Sequence, residues 1–268
     1  MKLRRLSRVL LTVAAGLAFA LGSAPAEPVP LIRAHSHNDY EHKRPLLDAL
    51  DQGFCSVEAD IYLVEGKLLV SHNRKDVKPE RTLQALYLDP LRERVKRNGG
   101  RVFPGGPECS LLIDLKTDWK TIYPALRGVL TNYADMLSTF RDGAKQTNAI
   151  TVVISGSRAK EMFAGETVRF ATCDGLLADL DATAGADFIP WISANWAENF
   201  DWRGQGEMPP TDAAKLKDIV TKAHSQGRRV RFWGAPDKEI FWRAMRDAGV
   251  DLINTDHLPE LAEFLNRR

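Results

Sequence analysis

The 268-residue chain holds only 3 cysteines. An odd count that small permits one internal bridge at most, so a fold stapled by disulfides is excluded. Long apolar runs are also missing. Beyond the first thirty residues none approaches the ~18 residues that a membrane-spanning helix needs. Neither sign of charge dominates: 37 Lys and Arg face 35 Asp and Glu, a net of +2, which offers no basic field to grip a nucleic-acid backbone. There is no internal repeat and no low-complexity linker. A hydrophobic share of 44% with 27% charged residues excludes a disordered or collagen-like chain. The length suits one large domain or two small ones, and α/β barrels of this size run as a single unit.

Lys2, Arg4, Arg5 and Arg8 precede an apolar stretch from Val9 to about Gly22, followed by Ala24-Pro25-Ala26. A basic start, a short apolar run and small residues read as a secretory signal peptide over 1–26, with a retained N-terminal anchor as the alternative. Cleavage there leaves residues 27–268 as a single domain with a charge of −2, expected to be exported to the periplasm or outside the cell. Cys55 and Cys109 fall near the starts of two strands expected to be neighbours and form the pair that would bridge. The alternative is that they and Cys173 are small buried apolar residues.

Short apolar or β-branched runs alternate with helical stretches. The expected strands are Leu31–His35, Ser56–Ile61, Ser110–Lys116, Ile150–Ser155, Gly175–Asp179, Phe188–Ser193, Arg229–Trp233 and Leu252–Thr255. The expected helices are Pro45–Gln52, Pro79–Arg97, Trp119–Leu137, Ser157–Phe163, Asp212–Ser225 and Pro236–Asp247. Eight apolar strands with helices between them predict a (β/α)8 TIM barrel. Only residues 180–187 separate the fifth and sixth strands, too few for a crossover helix, so the barrel is expected to be irregular there. A hairpin arm, Lys67–Ser71, follows the second strand after Glu65-Gly66. Asn98–Pro107 and Asn195–Pro210 read as loop insertions.

Active groups in such a barrel come from the carboxyl ends of strands. The first strand ends in His35-Ser36-His37-Asn38-Asp39-Tyr40, the second carries Glu58-Ala59-Asp60, the hairpin ends in Ser71-His72, and the third carries Asp114-Leu115-Lys116. Glu58 and Asp60, two apart on a strand, point to one face, where two carboxylates repel unless a cation or a basic partner answers them. An all-oxygen set completed by Asp114 suits Mg²⁺ or Ca²⁺, and ordinary salt bridges are the competing account. Phosphodiester cleavage needs charge neutralised on phosphate, a base for the nucleophile and an acid for the leaving oxygen. His35 and His72 can supply the proton transfers near neutral pH, and Lys116 adds positive charge.

The order Ala34-His35-Ser36-His37-Asn38-Asp39-Tyr40, then Val57-Glu58-Ala59-Asp60, then Ser71-His72 resembles the superfamily of PI-PLC-like phosphodiesterases, over about residues 31–258. That superfamily contains the glycerophosphodiester phosphodiesterases and the sphingomyelinase D enzymes. The His-Ser-His-Asn-Asp-Tyr form is most similar to a branch with bacterial exported and fungal mitochondrial-inheritance proteins. The resemblance implies a TIM barrel with one bound Mg²⁺ or Ca²⁺, a catalytic pair His35 and His72, and metal ligands Glu58, Asp60 and Asp114. It also implies substrate contacts from Lys116, Asn38 and Trp233; His37 has no clear counterpart outside its own branch and either touches substrate or holds its loop. It further implies a small-molecule or lipid phosphodiester substrate; transient contact with a membrane surface, no nucleic acid and no obligate protein partner are the accompanying expectations. Three departures stand out: Ser36-His37 replaces the Arg-Gly of glycerophosphodiesterases, so their phosphate-contacting arginine is missing there. No Pro-Glu-Asn-Thr stretch follows, and Asn73 stands where Asp is commoner.

Two other readings stay open. His35-x-His37 is also the zinc motif of amidohydrolase-type barrels, although no histidine falls on the fifth or sixth strand. A non-catalytic exported barrel that binds phospholipid head groups is the other. Trp191, Trp196, Phe200 and Trp202 either touch lipid or pack over the barrel rim. Lys78, Arg81, Arg92, Arg94, Lys96 and Arg97 read as a solvated helix face.

Overall fold

The computed structural model describes residues 27–158 and 160–267. The expected leader, residues 1–26, lies outside the described residues. The strands are β1 Leu31–Ser36, β2 Phe54–Val64, β3 Lys67–Val70, β4 Cys109–Leu115, β5 Thr139–Arg141, β6 Ala144–Gln146, β7 Ile150–Gly156, β8 Ala171–Gly175, β9 Trp191–Asn195, β10 Arg229–Trp233 and β11 Leu252–Thr255. The helices are α1 Leu47–Asp51, α2 Asp89–Arg97, α3 Trp119–Thr131, α4 Trp196–Asn199, α5 Pro210–Ser225, α6 Glu239–Asp247 and α7 Leu258–Asn266. Eight strands run parallel in the order β1-β11-β10-β9-β8-β7-β4-β2, and β1 pairs β2 to close the barrel. β3 lies antiparallel on β2, and β5 and β6 form a separate hairpin.

Alternation along each strand sorts the side chains. Leu111, Ile113, Val152 and Ile154 belong to the large apolar cluster that the helices cover. Leu112, Val153, Trp191 and Leu252 form a second, smaller cluster within the barrel. Polar groups sit against this apolar plug, since the His35 ring meets Trp191 edge-on with centroids 6.2 Å apart.

The expected barrel is present, and several element boundaries are corrected. The fifth strand is Ala171–Gly175, not Gly175–Asp179, where Leu177–Asp181 coils as a short 3₁₀ turn. Leu177 and Leu180 lie three apart and pack inward together, a helical spacing that reads as a strand when only apolar content is counted. The sixth strand starts at Trp191, after Pro190, which has no N–H to give to a ladder. The connection between these two strands carries no α-helix, as the short spacing implied. The helix expected from Pro79 begins with a π-turn at Gln84–Leu88, and Lys160–Phe163 is only a 3₁₀ turn. Helix α7 and the β5–β6 hairpin were not foreseen. All three cysteines are buried free thiols. Trp191, Trp196, Phe200 and Trp202 are buried, with Trp196 stacked on Phe200 at 3.9 Å, so the last three pack over the barrel while Trp191 lies within it. Of the basic stretch, Arg92 pairs with Asp135 and Arg94 caps Val102 O at 3.0 Å. Among the described residues no helix is long and apolar enough to cross a membrane.

The loop after β1 is held by one carboxylate. Buried Asp39 accepts from Ser36 Oγ at 2.7 Å, Leu46 N at 2.5 Å and Tyr87 Oη at 2.9 Å. Leu46 sits at φ 66°, a left-handed conformation that costs a non-glycine residue about 1–3 kcal/mol. Asp39 therefore offsets strain in the segment that carries His37, Asn38 and Tyr40. Asp39→Ala leaves the Leu46 N–H and two hydroxyls without their acceptor and is expected to lower the unfolding free energy by about 3 kcal/mol. Urea titration followed by circular dichroism checks this, and a loss under about 1 kcal/mol contradicts it.

Candidate active site

Register delivers the acidic groups. Asp60 on β2 stands opposite Asp114 on β4, and Asp114 stands opposite Ser155 on β7. With Glu58, one pleat repeat below Asp60, they place carboxylate oxygens within 4.8 Å of one another. Lys116 Nζ answers two of them, 2.8 Å from Asp60 Oδ2 and 3.1 Å from Asp114 Oδ1. Burial and the neighbouring Glu58 charge raise Asp60 to about 6, although Lys116 and the Tyr40 hydroxyl work against the rise.

Two observations bear on whether this set suits a divalent cation. Asp60 Oδ1 is buried and has no hydrogen-bond partner among the described residues. Gly156, at φ +73°, leaves room beside Asp114: a Cβ there would come within 2.5 Å of Asp114 Oδ1. The donor set is all carboxylate oxygen, as hard cations require. The residues fit such an ion.

Beneath the triad lies a buried network that sequence reasoning missed. Arg231 on β10 sets Nη1 3.0 Å from His35 Nε2 and donates from it to Glu58 Oε2 at 3.3 Å. Its Nε reaches Ser193 Oγ at 3.1 Å, and Ser193 donates to Asp174 at 2.7 Å. His35 is 0% exposed, and its Nδ1 lies 2.7 Å from Ser56 Oγ. Burial, with help from the Arg231 charge and against the bond to Glu58, lowers His35 to about 4, so its ring is neutral at physiological pH. Burial works to raise Glu58, but His35 and Arg231 outweigh it and hold the carboxylate ionised.

Above the triad a cavity of about 260 Å³ opens. Its lining includes His37, Asn38, Glu58, Asp60, His72, Asp114, Lys116 and Trp233, so eight of the nine residues singled out from the sequence meet at one place. His35 is the ninth and does not line it. The antiparallel return of β3 brings His72 back beside Asp60, with Ser71 N bonded to Asp60 O at 3.1 Å. His72 Nδ1 lies 3.0 Å from Tyr40 Oη and 3.3 Å from Asp60 Oδ2. Asn38, at φ 47°, accepts from Tyr40 Oη at 2.7 Å. His37 Nδ1–H donates to Asp256 Oδ1 at 2.9 Å.

Two arginines not singled out from the sequence, Arg158 and Arg231, line the cavity. A charge inside the apolar strand Arg229-Val230-Arg231-Phe232-Trp233 was the signal for Arg231. Asp174 went unseen because its strand was placed four residues too late. Nothing in the sequence marked Tyr40 as a bridge between Asn38, Asp60 and His72. Nothing favours the zinc reading: His35 and His37 join no metal-binding cluster among the described residues, and both His35 nitrogens and Nδ1 of His37 already meet Ser56, Arg231 and Asp256.

The sequence profile of the AIM6-like phosphodiesterase domain matches residues 26–174, more than half of the chain. The chain belongs to that family. A second profile, of the glycerophosphoryl diester phosphodiesterase family, matches residues 229–259. Altered inheritance of mitochondria protein 6 of Eremothecium gossypii is 30% identical over 273 residues, which covers 87% of this chain and 69% of that protein. Its Saccharomyces cerevisiae namesake is 28% identical over 86% of this chain and 69% of its own length. The Arthroderma benhamiae homolog is 28% identical over 85% and 81%. Glycerophosphodiester phosphodiesterases from Parabacteroides distasonis and Agrobacterium tumefaciens share the fold of this AIM6-like phosphodiesterase domain at TM-scores of 0.51 and 0.50. Both are 14% identical and are matched over 87% of this chain, covering 96% and 99% of theirs.

The expectation of export is overturned by these relatives. Their names tie them to mitochondrial inheritance and not to secretion. The segment that carried the expectation lies outside the described residues, and an Arg-rich, acid-free start is not particular to export.

His35 yields a sign that a titration can check. Its pKa is about 4 in the fold and 6.5 when unfolded, so the unfolded chain binds the extra proton in that window. Stability from this group is complete above pH 6.5 and falls as pH drops toward 4, at up to about 1.4 kcal/mol per pH unit. Asp60, raised from 3.8 to about 6, works in the opposite sense as pH falls between those values. Histidine NMR without added metal is expected to show the His35 ring neutral down to about pH 5, and protonation near 6.5 contradicts the buried network.

Proposed function

We propose that this chain cleaves a phosphodiester of the glycerophosphodiester or phospholipid head-group class in the cavity above Glu58, Asp60 and Asp114. The observation that carries the reading is the crowding of three carboxylates, one oxygen of them unpartnered, at the floor of a cavity that also holds Lys116, Arg231 and His72. Residues 27–268 then act as one catalytic unit. Held by Glu58, Asp60 and Asp114, Mg²⁺ or Ca²⁺ would supply positive charge against the phosphate oxygens. Lys116 and Arg231 add fixed donors to the same end, and both are preorganised by acidic partners and cost little reorganisation.

His72 is placed for proton transfer. With Nδ1–H given to Tyr40 Oη or Asp60, its Nε2 is the nitrogen free to take a proton from a water or a substrate hydroxyl. Leu176 and Trp233, 53% and 39% exposed, line the same cavity and offer apolar surface to a lipid-type substrate near a membrane surface.

Purified protein is expected to hydrolyse bis(p-nitrophenyl) phosphate with Mg²⁺ or Ca²⁺ and to lose that activity in EDTA. Asp114→Asn and His72→Ala should each lower the rate by about a hundredfold or more. Activity that survives EDTA, or persists in full in Asp114→Asn protein, overturns the reading. Gly156→Ala, which crowds Asp114, should weaken binding of the cation by about tenfold or more in calorimetric titration. Unchanged affinity removes Asp114 from the ligand set.

A further inference from the structure

Five basic side chains line the cavity: His37, His72, Lys116, Arg158 and Arg231. Four of them stand against carboxylates. His37 lies 2.9 Å from Asp256, His72 3.3 Å from Asp60, Lys116 2.8 Å from Asp60 and Arg231 3.3 Å from Glu58. Arg158 is the exception, since among the described residues no carboxylate comes within ion-pair distance of its guanidinium. The acids that feel its charge, Asp174 and Asp179, are already engaged. Asp174 accepts from Ser193 Oγ at 2.7 Å and lies 3.8 Å from Arg231. Asp179 pairs with Lys160 at 2.6 Å and accepts from Leu176 N at 2.9 Å.

What holds Arg158 is backbone. Its Nε donates to Asp174 O on β8, and its Nη1 donates to Gly156 O at 3.3 Å. Two carbonyls fix the plane of the guanidinium but bring no net charge to balance it. Its Nη2, with two N–H donors, has no partner among the described residues. A half-buried cation held this way is completed by an anion, which guanidinium donors meet through charge-assisted hydrogen bonds.

Position says which anion. Lys116 stands on the acidic cluster itself, 2.8 Å from Asp60 and 3.1 Å from Asp114. Arg158 is tied to β8, which lies two strands from Asp114 across β7, and neighbouring strands are about 4.8 Å apart. Its charge is therefore set to one side of the cluster. A phosphodiester there carries one negative charge, which Lys116 and Arg231 already answer. An uncompensated cation to the side suits a second anion, a few bonds away from the phosphorus.

Resting on the phosphodiesterase reading above, we propose that Arg158 binds a second oxyanion, a carboxylate or a phosphate, carried on the head group of the substrate. The favoured substrates are then phosphodiesters with an acidic head group. Leu176 and Trp233, which line the same cavity, are apolar and cannot replace Arg158 in this role.

Two matched pairs of head groups test the assignment. Glycerophosphoserine differs from glycerophosphoethanolamine by one carboxylate, and glycerophosphoglycerol phosphate differs from glycerophosphoglycerol by one phosphate. In the unaltered protein kcat/KM should favour the acidic member of at least one pair by about tenfold or more, and the pair that shows it names the group. Arg158→Gln should bring that preference to within about threefold of unity, mainly through KM. Arg158→Lys keeps the charge without the planar fork and should retain an intermediate preference. Lys116→Gln should slow both members of a pair alike. No preference in the unaltered protein, or one that survives in Arg158→Gln protein, overturns the assignment while the phosphodiesterase reading stands. Equal losses on both members in Arg158→Gln protein make the residue structural and overturn it too. Bis(p-nitrophenyl) phosphate, assayed in the same preparations, keeps the two readings apart. Cleavage of that ester with none of the four head-group esters touched overturns the assignment alone. If that ester also resists, the phosphodiesterase reading fails and the assignment with it.

Discussion

Like charges packed into a poorly hydrated space set the terms for everything around them. Glu58, Asp60 and Asp114 would repel strongly at the separations found here, and removing them from water makes the repulsion worse. Lys116 relieves Asp60 and Asp114, and Arg231 relieves Glu58. Asp174 adds a fourth buried carboxylate near Arg231. The count leaves acid in excess, and burial together with the neighbouring Glu58 charge raises Asp60 toward neutral pH. A group poised in this way is the ordinary mark of a functional site, since a fold selected only for stability would replace it with apolar packing.

The barrel meets this constraint by dividing its interior. An apolar plug of Leu112, Val153, Trp191 and Leu252 keeps water from the lower half. The charged groups occupy the strand positions nearer the carboxyl ends, where loops complete the cavity. His35 sits at the boundary, with Trp191 on one side and Glu58 and Arg231 on the other. Neutral imidazole suits that place, because it meets the guanidinium without adding another charge.

Much of this was legible in the chain itself. Glu58 and Asp60 two apart in an apolar strand, and Asp114 with Lys116 in the next, announced a shared face because side-chain direction in a strand follows from sequence spacing alone. The order of strands followed from alternation and from loop lengths. Less visible was anything that depends on two strands slipping past one another. Whether His35 or His37 reaches the cavity turns on how high β1 stands in the barrel, and β1 pairs β2 across a register irregularity between Leu31 and His35. Asp256 and Asp237 lie more than two hundred residues from the first strand and 19 apart from one another in a bond that only the closed barrel creates. Apolar content likewise misled at Leu177–Asp181, where a three-residue spacing makes a turn of helix.

The division between a rigid floor and a looped rim has an evolutionary corollary. Arg158, Leu176 and Trp233 hang from loops or strand tips around the opening, whereas Arg231, Asp174 and Ser193 are locked below. Substitutions at the rim change the shape and polarity of the opening while the buried charge network beneath stays untouched. A lineage built on this scaffold can therefore diversify its chemistry of recognition cheaply, one loop at a time.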